Sequence, residues 1–296
     1  MIFRELKLDA VNRAVTTLDG AAGKSINVAK VLKALGAKPV ALGFLGGDRG
    51  RYLRSVLDAR GIRHAFVEVA ARTRQCVTVI DESAGAITEL VEESRPVAAA
   101  DYDVLLATLR RRIKGSRAVV MSGTLTPGGP ADFYFHCTRV AKTAGALSVV
   151  DAQGAALLEA LEAQPGVVKP NRLELAATVG RSLPHERARM SAMRELHERG
   201  AQRLVVTAGA EPTLAFDGQS FWRIRAPRVA AVNPIGSGDS FAAALTWRLL
   251  RGEDLGEACR WGSAAGAANA LTELAGEVSL KEVKRLASNV VVERVT

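Results

Sequence analysis

Short β-branched runs alternate with longer amphipathic ones along most of this chain, and that alternation limits the fold more than any other feature. From Ile26 the apolar positions fall at 26, 28, 29, 31, 32 and 35, a helical spacing that Gly36 ends. Pro39–Phe44 then reads as a buried strand and Arg49–Ala59 as the next helix, stopped before Gly61. Further strands are expected at Ala118–Ser122, Leu147–Asp151, Val167–Lys169 and Leu204–Thr207. Helical patterns lie between them near 101–114, 131–144, 154–163 and 184–199. Buried strands alternating with helices predict right-handed βαβ units. The expected class is therefore α/β, a mostly parallel central sheet with helices on both faces. The last third reads as helices at about 238–250, 256–270 and 280–287, then a closing strand at Val290–Val292. No internal repeat and no Pro/Ser-rich linker divides residues 1–296, so they read as a single domain.

One region breaks the rhythm. Residues 63–93 hold three strand-like runs, His64–Val69, Gln75–Asp81 and Ile87–Glu92, with no helix between them. Glu82-Ser83-Ala84-Gly85 supplies turn chemistry between the last two. Such a meander predicts a small antiparallel sheet projecting from the main body, as a lid, a dimer surface or both. A second hairpin is expected from Thr213–Phe216 and Phe221–Arg225 around Asp217-Gly218.

Charge narrows the partners. Forty Lys and Arg against 31 Asp and Glu leave a formal charge of +9, and 30 of the 40 bases are arginine. Nucleic acid and phosphorylated small molecules both answer to that excess. The runs Arg110-Arg111-Arg112 and Arg187, Arg189, Arg194 sit in stretches of helical periodicity, where charge marks a solvated face. Nucleic acid is therefore not the expected partner. With 48% apolar residues the chain is not disordered, and no run of about 18 apolar residues offers a membrane span. Charged Arg4, Glu5 and Lys7 occupy the place where a signal peptide needs apolar residues, so a soluble, cytoplasmic chain is expected. Cys76, Cys137 and Cys259 form no CxxC pair and read as reduced thiols. His64, His136, His185 and His197 form no HExxH pattern, so no zinc site is expected.

Three glycine-rich stretches compete to hold an anion. Gly20-Ala21-Ala22-Gly23-Lys24-Ser25 ends like a P-loop, but the position that needs the first glycine is Leu18, so the spacing fails. Lys24 still opens a helix, where a cation works with backbone N–H groups on an anion; the alternative is a plain loop lysine. Gly43–Gly50 follows a strand and opens a helix without the G-x-G-x-x-G pattern, as many glycine-rich turns do. The third stretch, Asn233-Pro234-Ile235-Gly236-Ser237-Gly238-Asp239-Ser240-Phe241, runs into an apolar helix. Gly236 and Gly238 let backbone N–H groups turn toward one point, and the helix dipole adds to their field. That concavity suits the charge of a transferring phosphoryl group. Asp239 is placed to take a proton from a hydroxyl held there. It also fits an N-cap, which would explain the aspartate but not the two glycines and the serine beside it.

Asn233–Phe241 closely resembles the C-terminal motif of the pfkB, ribokinase-like carbohydrate kinases, and the likeness covers nearly the whole chain. Ala22-Gly23-Lys24-Ser25-Ile26-Asn27-Val28-Ala29 resembles that family's sugar-side segment. Ser122–Gly128 and Lys169-Pro170-Asn171-Arg172-Leu173-Glu174 follow its pattern in order, and Gly262–Leu271 resembles the helix lining its adenine pocket. Gly43–Gly47 and Ser122–Gly128 look most like the hexose-phosphate branch, which includes 1-phosphofructokinase and tagatose-6-phosphate kinase.

The resemblance implies a ribokinase-like fold and an ATP- and Mg²⁺-dependent kinase acting on a hydroxymethyl group of a phosphorylated ketohexose. By motif position, Asp239 would be the base and Gly236, Ser237 and Gly238 the anion hole. Asn171 and Glu174 would organise Mg²⁺ through water. Thr207 and Gly209 would touch the nucleotide, with Asn269 near the adenine. Gly23, Lys24 and Asn27 would face the sugar, and Arg74 its phosphate. The meander, with part of residues 3–19, would be a lid that pairs two subunits.

The sugar half departs from the pattern. Family members begin with a strand ending in Asn-Pro-x-x-Asp, whose aspartate holds sugar hydroxyls, and this chain starts beyond it. Ala22 and Ser25 stand where the family has glycine, and Val91 where the branch commonly has a substrate-binding asparagine. Two other readings therefore stay open: a kinase for an unphosphorylated sugar or a nucleoside, and a nucleotide-binding relative that has lost catalysis.

Overall fold

A computed structural model describes residues 1–295. Its centre is a seven-stranded sheet whose strands lie side by side in chain order: Ala118–Ser122, Leu147–Asp151, Val167–Val168, Leu204–Ala208, Glu211–Phe216, Phe221–Arg225 and Val291–Val295. The first four pair in parallel, and helices Phe133–Thr143, Gly154–Leu161, Arg172–Val179 and Glu186–Glu198 lie in the crossovers between them. The remaining pairings are antiparallel, so the sheet is mixed where the alternation predicted a mostly parallel one. Tight turns at Gly209 and at 217–220 leave no length for a crossover helix in the first two, so the chain folds straight back; the third joins the last strand after three intervening helices.

Alternate residues of the parallel strands feed two cores. Val150, Val168, Leu204 and Val206 pack on the side of the crossover helices. Val149, Val167 and Val205 pack on the other side, beneath helices Lys24–Ala34, Ser237–Leu249, Leu255–Ala270 and Leu280–Ala287. Burial on both faces is why these strands are continuous apolar runs. In the second layer, Gly262 is close enough to Phe241 that a Cβ there would meet its ring at 2.8 Å. Ala242, Ala243, Ala264 and Ala265 are fully buried in the same layer. Small side chains let the two helices lie close together.

The first strand region divides into Val40–Ala41 and Phe44–Leu45, which pair in parallel with Arg63–His64 and Val67–Glu68. Helix Gly47–Ala59 connects them. Residues 63–69 thus complete a βαβ unit and do not join the antiparallel meander expected over 63–93. The intervening helix dictates parallel pairing, which the local pattern of 64–69 does not reveal. The antiparallel hairpin is Cys76–Asp81 with Ala86–Val91, and Ile2–Phe3 pairs in parallel with Ile80 and Asp81. Thr16 bridges back to Ile2, bringing the following segment to this small sheet. No helix among the described residues is long and apolar enough to cross a membrane.

Candidate active site

The carboxyl ends of the parallel strands point toward the N-termini of two helices from the opposite layer. Charged side chains at strand ends therefore converge, as at the ligand crevices of open α/β sheets. Asp151 ends its strand, and Lys169 immediately follows the next one. Lys169 Nζ lies 3.2 Å from Asp151 Oδ1, with both side chains only 3% exposed. Ser122 Oγ, at the end of the neighbouring strand, donates to Asp151 Oδ2 at 3.0 Å.

Helix Lys24–Ala34 supplies the facing wall. Gly23, at φ 131°, turns the chain into it, so that Lys24 and Asn27 point the same way one turn apart. Asn27 Nδ2 donates to Asp239 Oδ2 at 2.8 Å, while Asn27 Oδ1 is buried without a partner among the described residues. Lys30 fixes this helix in place: its buried ammonium donates to Ala275 O at 2.5 Å and pairs with Glu277 at 2.8 Å.

Asp239 lies in the first turn of helix Ser237–Leu249. Gly236 caps that helix at φ 85°, and a Cβ there would come within 2.8 Å of the Ala275 Cβ. A glycine is required on both counts. A Cβ on Gly238 would stand 3.8 Å from Lys169 Nζ, so the loop faces the lysine. Ser237 Oγ donates to Gly266 O at 2.9 Å. Asn269 is fully buried: it donates to Ile235 O at 2.8 Å and accepts from Gly276 N at 2.7 Å. Its amide is used inside the protein, so Asn269 holds the loop from behind and does not face an open adenine pocket.

The charges tune one another. Burial pushes the Asp239 carboxyl up to about 6; the Asn27 hydrogen bond opposes the rise, Asp151 adds to it, and Lys24 and Lys169 counter it. Burial alone would lower Lys24, but Asp151, Asp239 and Glu174 outweigh it and hold the ammonium above its ordinary value. A carboxylate that titrates near neutrality thus sits between two cations and a helix N-terminus. That combination suits proton removal beside a developing anion.

The other expected residues fall around this centre. Asn171 and Thr207 form a bridge between adjacent strand ends, and Gly209, at φ 62°, makes the turn beyond. Asn171 caps helix Arg172–Val179 by accepting from Leu173 and Glu174 N–H groups, while Glu174 Oε2 accepts from Asn171 N at 2.7 Å. This capping box accounts for both residues structurally and leaves Glu174 Oε1 uncommitted. Among the described residues no cluster of three His, Cys, Asp or Glu forms a direct metal site. The donors therefore fit Mg²⁺ only when phosphates and water complete its shell. Arg74 is exposed at the root of the hairpin and shares no hydrogen bond or ion pair with the cluster. A separate cleft of about 560 Å³ opens at the far edge beside Arg194, His197 and Phe221, and none of the residues above lines it.

Sequence reasoning assigned no role to Asp151, Lys169, Ser122 or Lys30. For the first three the readable signal is a polar or charged residue closing a β-branched run. Lys30 carries no such mark.

Residues 2–282 match the profile described as pfkB family carbohydrate kinase. The chain belongs to that family. Among solved pfkB-type structures, Escherichia coli phosphofructokinase-2 in complex with substrates and products superposes with a TM-score of 0.89 at 28% identity. That match covers 97% of this chain and 94% of the other. A Thermotoga maritima protein described as a possible 1-phosphofructokinase gives 0.90 at 25% identity, covering 100% and 95%. The ribokinase-like α/β fold and a sugar kinase activity using ATP follow from this membership.

Proposed function

We propose that this pfkB kinase transfers the γ-phosphoryl group of ATP to a hydroxymethyl oxygen of a phosphorylated ketohexose: fructose 1-phosphate, fructose 6-phosphate or tagatose 6-phosphate. The observation that carries the reading is the buried Asp239, raised to about 6, between Lys24, Lys169 and the Gly236–Gly238 loop. Asp239 takes the proton of the hydroxymethyl group as its oxygen bonds to the γ-phosphorus. The bond to the β-phosphate oxygen breaks, and ADP leaves. N–H groups of Gly236 and Gly238 receive the charge that develops on the phosphoryl oxygens, while the Ser237 N–H donates to Pro234 O at 3.1 Å and closes the loop between them. Mg²⁺, when bound, screens the phosphates, and Asn171 and Glu174 would hold it through water. Thr207 and Gly209 line the nucleotide side.

Gly23, Lys24 and Asn27 face the sugar. The unpartnered Asn27 Oδ1 is an acceptor that a sugar hydroxyl would satisfy. Arg74 would meet the sugar's own phosphate when the hairpin folds over the site. One E. coli neighbour is described as a complex with fructose-6-phosphate, and another as a tetrameric inhibited form. For this chain we infer a homodimer through the hairpin, and action in the cytoplasm, where ATP is supplied. The test is ATP consumption with Mg²⁺ across the three phosphosugars, fructose, ribose and adenosine, with Asp239→Asn as control. Turnover with one phosphosugar, lost in the variant, supports the reading. Turnover only with an unphosphorylated acceptor, or none with ATP still bound, overturns it.

A further inference from the structure

Residues 271–277, between helices Leu255–Ala270 and Leu280–Ala287, touch both halves of the site. Toward the anion loop, Glu273 O accepts from Asn233 Nδ2 at 2.9 Å, and Asn269 joins the Gly276 N–H to Ile235 O. Ala275 stands where a Cβ on Gly236 would meet its own Cβ at 2.8 Å. Toward the sugar side, a Cβ on Gly276 would stand 3.0 Å from Asn27 Cα, and one on Gly20 would stand 3.3 Å from a Leu274 methyl. The segment is a strap, with the anion loop on one side and the start of helix 24–34 on the other.

One charged side chain of helix 24–34 holds this strap. Lys30 Nζ lies 2.5 Å from Ala275 O, 3.3 Å from Ala21 O and 2.8 Å from Glu277 Oε1. An ammonium has three N–H donors, so all are used. Ala21 is buried in the turn that leads into Gly23 and Lys24. Lys30 follows Asn27 by three residues on the same helix face, and Asn27 itself donates to Asp239. One face of one helix thus grips the base, the sugar-side turn and the strap behind the anion loop. Holding a charge there costs desolvation. The Lys30 side chain is only 3% exposed, and burial pushes its ammonium below the ordinary value against the hydrogen bond and charge of Glu277. Arg60, which pairs with Glu277 at 2.5 Å, adds to the decrease. A buried ion pair is commonly no more stabilising than an apolar side chain of the same size, so stability alone does not account for a lysine at this position.

We propose that Lys30 is a positioning residue for phosphoryl transfer: by tying Ala21 O to Ala275 O it fixes the sugar-side turn and the anion loop in one register, so that the acceptor hydroxyl, Asp239 and the Gly236 and Gly238 N–H groups stay in line. The proposal rests on the reading of Gly236–Gly238 as the anion loop. Lys30 acts through Ala21 and Ala275, not on the reacting atoms. Without its ammonium the two carbonyls lose this shared donor, and the strap is released from helix 24–34 where it backs Gly236. Displacing reacting groups by about 1 Å from a remote position costs up to about 10²-fold in rate. Thr207 and Gly209, on the nucleotide side, belong to a different strand end and do not depend on the tie.

The test compares Lys30→Ala with Lys30→Arg in the full chain. Lys30→Ala should lose about ten- to a hundredfold in kcat while the Kd for ATP stays within about twofold. n-Propylammonium, the part of the side chain that the substitution deletes, should restore turnover saturably. Tetramethylammonium, which has no N–H to donate, should not. Lys30→Arg keeps the charge and the donors and should hold most of the parent's kcat. If Lys30→Ala does not fold, Lys30→Met, of similar length and without charge, is set against Lys30→Arg in its place. An unchanged kcat in the uncharged variant overturns the proposal. So does equal rescue by both ammonium ions, failure of both n-propylammonium and Lys30→Arg to restore turnover, or a loss of ATP affinity that matches the loss of kcat. Asp239→Asn and Gly236→Ala separate this proposal from the reading beneath it. Full turnover in both overturns the anion loop and this proposal with it, whereas loss in both beside a fully active Lys30→Ala overturns this proposal alone.

Discussion

Asp239 meets two opposed demands, because the burial that makes it a base near neutrality also charges the folded protein for holding an anion. A carboxyl raised from 3.8 to about 6 favours the protonated folded state. That stabilisation is full below about pH 3.8 and is lost as pH rises through about 6, a swing of roughly 3 kcal/mol. Asp239→Asn should therefore cut turnover by about 10²–10⁴-fold while melting higher than the parent at pH 8. At pH 4 that stability difference should close, and thermal melts at the two pH values measure it. In the parent, kcat/KM should fall as pH drops below about 6. Lys169 gives the complementary test. Lys169→Met strands the buried Asp151, which should cost about 3–5 kcal/mol by denaturant unfolding. It also removes a cation facing Asp239, so any residual activity should show its acid limb at higher pH.

At the scale of elements, helix Arg172–Val179 owes its start to one pair of side chains. Asn171→Ala removes the acceptor for two N–H groups and should cost about 0.5–2 kcal/mol in a urea titration. Gly236→Ala, by contrast, should depress kcat more than ATP affinity, because φ 85° and Ala275 force the anion loop to shift. Stopped-flow turnover set beside equilibrium nucleotide binding separates the two effects. The strongly periodic elements were readable: helix 280–287 and strands 118–122 and 147–151 lie where apolar spacing put them. Helix 172–179 was not, because its apolar residues spread around the helix instead of lining one face, and only the Asn171/Glu174 pair marks it. Residues 63–69 were assigned to the wrong sheet, since strand-like composition says nothing about which edge a strand will join. The anion loop was legible because its parts are contiguous. The Asp151–Lys169 pair was not, because it exists only once two strands lie side by side.

Across the whole molecule, the hairpin 76–91 stands apart from the main sheet, in a three-stranded sheet shared only with Ile2–Phe3. Its outer strand is exposed along most of its length, with Leu90 at 57% and Val91 at 46%. Arg49, at the start of helix 47–59, holds its base through Glu92 at 2.5 Å, and a groove of about 290 Å³ runs past Val77, Leu90 and Val91. An apolar strand edge left in water invites pairing with another edge, and a second copy of the same hairpin is the symmetrical answer. The protein should then sediment at twice its 31.3 kDa mass. Leu90→Glu with Val91→Lys places charge on that edge without touching either core. The double variant should sediment as a folded monomer whose melting temperature, unlike the parent's, does not rise with protein concentration. Its KM for the phosphosugar should rise several-fold while that for ATP holds, because Arg74 stands at the root of the displaced hairpin and the nucleotide residues do not. A parent that sediments as a monomer, or a monomeric variant with an unaltered phosphosugar KM, would separate the hairpin from substrate binding.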